Sequence, residues 1–162
     1  MDERELFIGY SLQAIDAKGR VAIPADLRIP MEANGGGART CYIDLSEADG
    51  CLILFDKGWA RQRLSRIGRD DDAASSQGRV FDLDSAQREP IGAAERTKFD
   101  ESGRFGLPEF LAHEAGLTNL AYFLGAMTHI EIWSPERLRA SANVPDRAKR
   151  ALEWELKKKG LA

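Results

Sequence analysis

Residues 15–27 read Ile-Asp-Ala-Lys-Gly-Arg-Val-Ala-Ile-Pro-Ala-Asp-Leu, and residues 99–111 read Phe-Asp-Glu-Ser-Gly-Arg-Phe-Gly-Leu-Pro-Glu-Phe-Leu. Aligned 84 positions apart (16 against 100), Asp16, Gly19, Arg20 and Pro24 fall on Asp100, Gly103, Arg104 and Pro108. Ile15, Val21, Ile23 and Leu27 meet Phe99, Phe105, Leu107 and Leu111, so apolar character is kept as well. This density of matches marks a duplicated unit. Much of the motif is turn chemistry. An aspartate accepts hydrogen bonds from backbone N–H groups just ahead of it, which assigns Asp16 and Asp100 a structural turn role. Glycine adopts positive φ without a Cβ penalty, as a short bulged hairpin between two strands requires, and Gly103 takes that place in the second copy. Pro24 ends the second strand and opens a short helix. A turn has no need of arginine, yet both copies carry one.

Working outward, each half reads strand, turn, strand, short helix, strand, strand, helix. The spans are roughly 6–15, 20–23, 25–32, 39–45, 50–55 and 57–66, then roughly 95–99, 104–107, 109–115, 119–125, 129–133 and 135–141. Ser134-Pro135-Glu136 reads as an N-cap, a first-turn proline and a first-turn acid. Residues 68–92, with Asp70-Asp71-Asp72, Ser75-Ser76 and Gly78, read as a linker or exposed excursion. Pro145 starts a last helix with Asp146/Arg150, Glu153/Lys157 and Glu155/Lys159 at i,i+4 spacing and a thin apolar stripe of Ala148, Ala151, Leu152 and Leu156. Such a helix docks weakly or meets a partner chain. The expected organisation is a first repeat over 6–67, the excursion over 68–92, a second repeat over 93–142 and a C-terminal helix over 143–162. The fold class is α+β, mainly β.

The chain has 162 residues, with 23 Lys+Arg against 26 Asp+Glu and a formal net charge of -3. That balance excludes a protein coated in positive charge for wrapping nucleic acid. No apolar run approaches the ~20 residues of a membrane span, and the acidic start Met1-Asp2-Glu3-Arg4-Glu5 is unlike a secretory signal. Cys41 and Cys51 sit ten apart in apolar runs, which suits buried thiols in a reducing cytoplasm. Neither they nor His113 and His129 have the spacing of a metal site, so the histidines read as surface residues and no metal or cofactor is expected. No nucleophile–base set appears, so an enzyme ranks lowest. Trp59, Trp133 and Trp154 read as core or interface packing rather than base-stacking platforms.

The stretch Asp-Ala-Lys-Gly-Arg-Val-Ala-Ile-Pro resembles the MraZ family, within the AbrB-like superfamily of bacterial transcription factors. Members carry two Asp-x-x-x-Arg units, here Asp16–Arg20 and Asp100–Arg104. Phe7-Ile8-Gly9, Gly50-Cys51-Leu52 and Ile130-Glu131-Ile132-Trp133 are similar to other family segments, so the likeness covers roughly 6–142. The resemblance implies a double-split β-barrel built from two pseudo-equivalent halves. It also implies cyclic homo-oligomers, binding of double-stranded DNA at short direct repeats in the promoter of the division and cell-wall gene cluster, and a cytoplasmic, nucleoid-associated location.

On that reading arginine forks onto guanine O6/N7, while lysine, hydroxyl and glycine N–H groups suit phosphate. Arg20 is then the base reader and Lys18 a phosphate ligand beside Gly19. Arg104 with Ser102 supports either role, and Arg28 on the short helix is a second phosphate candidate. A plain Asp–Arg ion pair stapling each turn is the alternative for both arginines. Residues 14–28 hold Lys18, Arg20 and Arg28 against Asp16 and Asp26, whereas 98–111 hold Lys98 and Arg104 against Asp100, Glu101 and Glu109. The first motif is therefore the expected main contact. The basic excess over 137–159 reads either as a solvated, pair-laced helix or as a supplementary DNA contact. An antitoxin-like or scaffolding protein using the same fold to bind a protein partner is the competing function.

Overall fold

In the computed structural model, residues 3–88 and 93–161 are described. The first half supplies strands β1 (Tyr10–Ala14) and β2 (Arg20–Ala22), helix α1 (Ala25–Asn34), strands β3 (Thr40–Leu45) and β4 (Leu52–Phe55) and helix α2 (Lys57–Ser76). Helix α3 (Leu83–Arg88) follows. The second half repeats the pattern with β5 (Glu95–Lys98), β6 (Arg104–Gly106), α4 (Glu109–Glu114), β7 (Leu120–Gly125), β8 (Ile130–Trp133) and α5 (Pro135–Ala140), and α6 (Asp146–Lys158) closes the chain.

The strands form a six-stranded antiparallel sheet in the order β1-β7-β8-β4-β3-β5 and a two-stranded ribbon of β2 and β6. Exchanging each strand for its copy in the other half and reversing the list returns the same order, so the duplication is built into the topology. The halves are interleaved: β1 pairs with β7, β3 with β5, and β2 with β6. The expected hairpin between β1 and β2 is therefore not formed. The Asp16–Arg20 segment closes its own turn but sends its flanking strands to partners in the other half. The mixed α+β class holds. No closed barrel is found among the described residues, and helices contain more residues than strands, against the expectation of a mainly β chain.

Much of the excess of helix lies in the segment expected to be a linker or exposed excursion. Helix α2 does not stop near Arg66 but continues through Asp70–Asp72 to Ser76. Its 20 residues hold no proline, and Ile67 and Ala74, seven apart on one face, are buried. Those two anchors outweigh the charge that makes the stretch look like a loop. Residues 89–92 of the expected linker lie outside the described residues.

Burial sorts onto the two faces of the sheet. On one, Cys41, Ile43, Leu52, Leu54, Phe123, Ile130 and Ile132 pack against Val21 and Phe105 of the ribbon, Leu27 and Met31 of α1 and Leu111 of α4. On the other, Leu12, Cys51, Tyr122 and Trp133 are covered by Leu138 of α5 and by Leu152 and Leu156 of α6. The C-terminal helix is thus a core element, although its sequence stripe is thin. Its acids make other pairs than those expected: Glu153 pairs with Arg139 of α5, and Glu155 with Lys158. Ser134 stands at the N-cap of α5 with Pro135 following, but its side chain makes no capping bond.

Both cysteines are free and buried, and burial pushes the Cys41 thiol up to about 12. Trp133 is buried and Trp154 exposed, while Trp59 packs on Phe55 at 4.6 Å between ring centroids. His129 is half-buried rather than fully at the surface. Its ring lies 5.4 Å from that of Trp59, and burial, with the Arg4 charge second, lowers its pKa.

Candidate nucleic-acid interface

The ribbon lies flat on the larger core. Its register sets Arg20 opposite Gly106, Val21 opposite Phe105 and Ala22 opposite Arg104. Alternation along a strand then turns Val21 and Phe105 inward, where both are buried, and leaves Arg20 and Arg104 diagonal to each other on the outer face. Two further bonds lock each loop to the other half's strand: Ile23 N–H donates to Gly103 O at 2.9 Å, and Leu107 N–H to Gly19 O at 2.9 Å.

The two loops repeat one another bond for bond. Asp16 Oδ1 accepts from the N–H of Lys18 and of Arg20, each at 2.9 Å. Asp100 Oδ1 accepts from the N–H of Ser102 and of Arg104, again at 2.9 Å. Gly19 and Gly103 have φ of 76° and 85°, the left-handed region that favours glycine. At Gly103 space is short as well, since a Cβ there would lie 2.5 Å from the Ile23 carbonyl oxygen. At Gly19 there is open space.

The arginines break the equivalence. Arg20 Nε donates to Asp16 Oδ2 at 2.9 Å, the local ion pair offered as the alternative role. Arg104 does not turn back to Asp100. Its Nη2 reaches across the ribbon to the same Asp16 Oδ2, at 3.3 Å. One carboxylate thus holds both guanidinium groups side by side on an exposed surface, an arrangement that no single repeat unit reveals. The backbone N–H of Arg20 is the chief of several donors that hold the Asp16 carboxyl down at about 2. Asp100 is lowered too, first by the Arg104 N–H.

Of the other sequence candidates, Lys18 and Ser102 are exposed at the loop tips. Arg28 is half-buried on α1, and its Cδ approaches the space above Gly103. The first half thereby lends the second loop a cation, which offsets Glu101. The ribbon's outer face and its two loops present Lys18, Arg20 and Arg104, side chains of types suited to phosphate and base edges, while Arg28 stands on α1 beside the second loop. Sequence reasoning missed the buried carboxylate of Asp56, which caps α2 through Trp59 N–H at 2.8 Å and meets Arg4 Nη2 at 2.7 Å. Its signal was present: an aspartate directly ahead of a helical run. Among the described residues, no group of three or more His, Cys, Asp or Glu side chains is arranged to hold a metal, and no helix is long and apolar enough to cross a membrane.

No protein-family model matches the chain. Individual relatives do. The transcriptional regulator MraZ of Thermomicrobium roseum is 34% identical over 143 residues, covering 86% of this chain and 89% of its own. That of Parvibaculum lavamentivorans is 33% identical over 141 residues, covering 84% and 80%. That of Coxiella burnetii strain RSA 493 is 31% identical over 128 residues, covering 79% of each.

Proposed function

The chain belongs to the MraZ family of transcriptional regulators, and from that membership we propose that it binds promoter DNA through the outer face of the β2–β6 ribbon. The observation that carries the proposal is the shared Asp16, which presents Arg20 and Arg104 together on an exposed, rigidly backed surface. Arg20 reads guanine edges, with Arg104 beside it. Lys18, Ser102 and Arg28 hold phosphates, with Gly19 shaping the first loop. The interleaved sheet and ribbon support a double-split barrel as the family frame.

We also propose that the protein acts as a ring-like homo-oligomer on short direct repeats upstream of the division and cell-wall genes, at the nucleoid in the cytoplasm. A ring makes this economical: one ribbon grips weakly, and repeated ribbons on repeated sites multiply that grip through effective concentration. Its function is regulation of transcription rather than catalysis.

The test is fluorescence anisotropy on the protein's own upstream region with Arg20→Ala, folding being checked by circular dichroism. Loss of a bidentate base contact predicts about 1–3 kcal/mol weaker specific binding per site engaged. A folded Arg20→Ala protein that keeps its affinity and its preference for the promoter repeats rules the proposal out.

A further inference from the structure

Away from the ribbon, the N-terminal end of α2 faces the C-terminal end of α1 across strands β3 and β5, and a cavity of about 640 Å³ opens between them. That is within the usual range for small-molecule sites. Four cationic side chains line it, Arg4, Lys57, Arg61 and Arg96, against the single carboxylate of Asp56. That carboxylate is committed: it accepts from Arg4 Nη2, from Asn34 Nδ2 at 3.0 Å and from Trp59 N–H at 2.8 Å. No carboxylate among the described residues comes within ion-pair distance of Lys57, Arg61 or Arg96.

These charges do not run along one solvated helix face. Arg96 stands opposite Tyr42 in the β3–β5 register, whereas Lys57 and Arg61 are one turn apart on α2. Separate elements therefore aim like charges into one concavity. Such a cleft focuses positive potential and draws in anions. Guanidinium groups fork onto the paired oxygens of phosphate, and three uncommitted cations call for more negative charge than one phosphate ester carries. The cavity is also separate from the ribbon. Arg28 touches the second loop, while Asn34, six residues on and about 9 Å along the α1 axis, lines the cavity.

We propose that this cavity binds a small molecule with adjacent phosphates, a di- or triphosphate. The experiment is isothermal titration of the full-length protein with sodium pyrophosphate and with ATP, using sodium sulfate at matched ionic strength as the control. Saturable binding of at least one phosphate probe, absent for sulfate, is expected. The double variant Arg61→Ala/Arg96→Ala removes two exposed side chains and should bind at least ten-fold more weakly, while Arg20→Ala binds as the unaltered protein does. Tighter binding of ATP than of pyrophosphate assigns a nucleotide, and equal binding assigns the phosphates alone. If the double variant fails circular dichroism, Arg61→Gln stands in for it with the same expected loss. The proposal falls if neither probe saturates, if the cavity variants bind as before, or if Arg20→Ala abolishes binding. It falls equally if the double variant weakens DNA binding while the unaltered protein ignores both probes, since the cavity would then serve the DNA backbone.

Discussion

At the scale of residues, Asp16 does in one carboxylate what the alternative reading assigned to two separate ion pairs. Its folded pKa is depressed, so its contribution is complete above the ordinary carboxylate value and is lost only as pH falls through about 2. Neither loop carries a histidine or a cysteine. DNA affinity at fixed ionic strength should therefore be flat over roughly pH 5–8, and a step in anisotropy titrations across that window would point to a histidine outside the ribbon. Asp16→Asn keeps an oxygen for the backbone donors but removes the charge that pins both arginines. Affinity for scrambled DNA should rise and the ratio of promoter to scrambled affinity should fall, measured side by side. The two glycines should separate as well. Gly19→Ala meets only the positive-φ penalty, about 1–2 kcal/mol. Gly103→Ala meets that and the Ile23 carbonyl, so its urea midpoint should fall further.

At the scale of elements, what was legible in the sequence was what short-range chemistry decides. The Asp-x-x-Gly-Arg turns, the short helices after Pro24 and Pro108, and most strand positions follow from glycine, proline and alternation within a dozen residues. The extent of α2 did not, because a charged run is helix or loop according to whether two distant apolar anchors find a core. For the same reason the docking of α6 was underestimated: Leu152 and Leu156 matter only once Tyr122 and Trp133 are known to lie beneath them. Leu152→Ala should cost about 2–5 kcal/mol in urea unfolding, whereas Lys149→Ala on the half-buried flank should stay within about 0.5 kcal/mol. Deleting 143–162 would strip the second core and so cannot isolate the basic charge of the helix; charge-neutralising substitutions on α6 can. Asp56→Ala should cost about 3–5 kcal/mol in the same assay, since it removes the buried carboxylate that Arg4 and Asn34 donate to and uncaps α2.

At the scale of the molecule, topology rather than the net charge of -3 decides which charged groups stand together. Crossing the halves brings Arg28 to the second loop and Arg104 to the first loop's carboxylate, so cations from distant parts of the sequence stand near one another. The strand order was illegible for the same reason, since a duplicated unit specifies its turns but not whose strands they join. Each phosphate contact contributes about 0.9 to the slope of log affinity against log salt. Lys18→Ala should accordingly flatten that slope by about one per loop engaged while leaving the promoter preference intact.

The interleaved sheet also governs the birth of the protein on the ribosome. Tyr10 pairs with Leu124, so the first strand has no partner in that ladder until the second half has been synthesised. At translation rates of about 5–20 residues per second, that wait is on the order of 6–20 seconds. During it the β3–β4 pair is, among the described residues, the one strand pairing of the sheet internal to the first half, and Leu12, Val21 and Leu27 have no complete core to enter. A chain cut between the halves should yield two fragments that fold together and not apart.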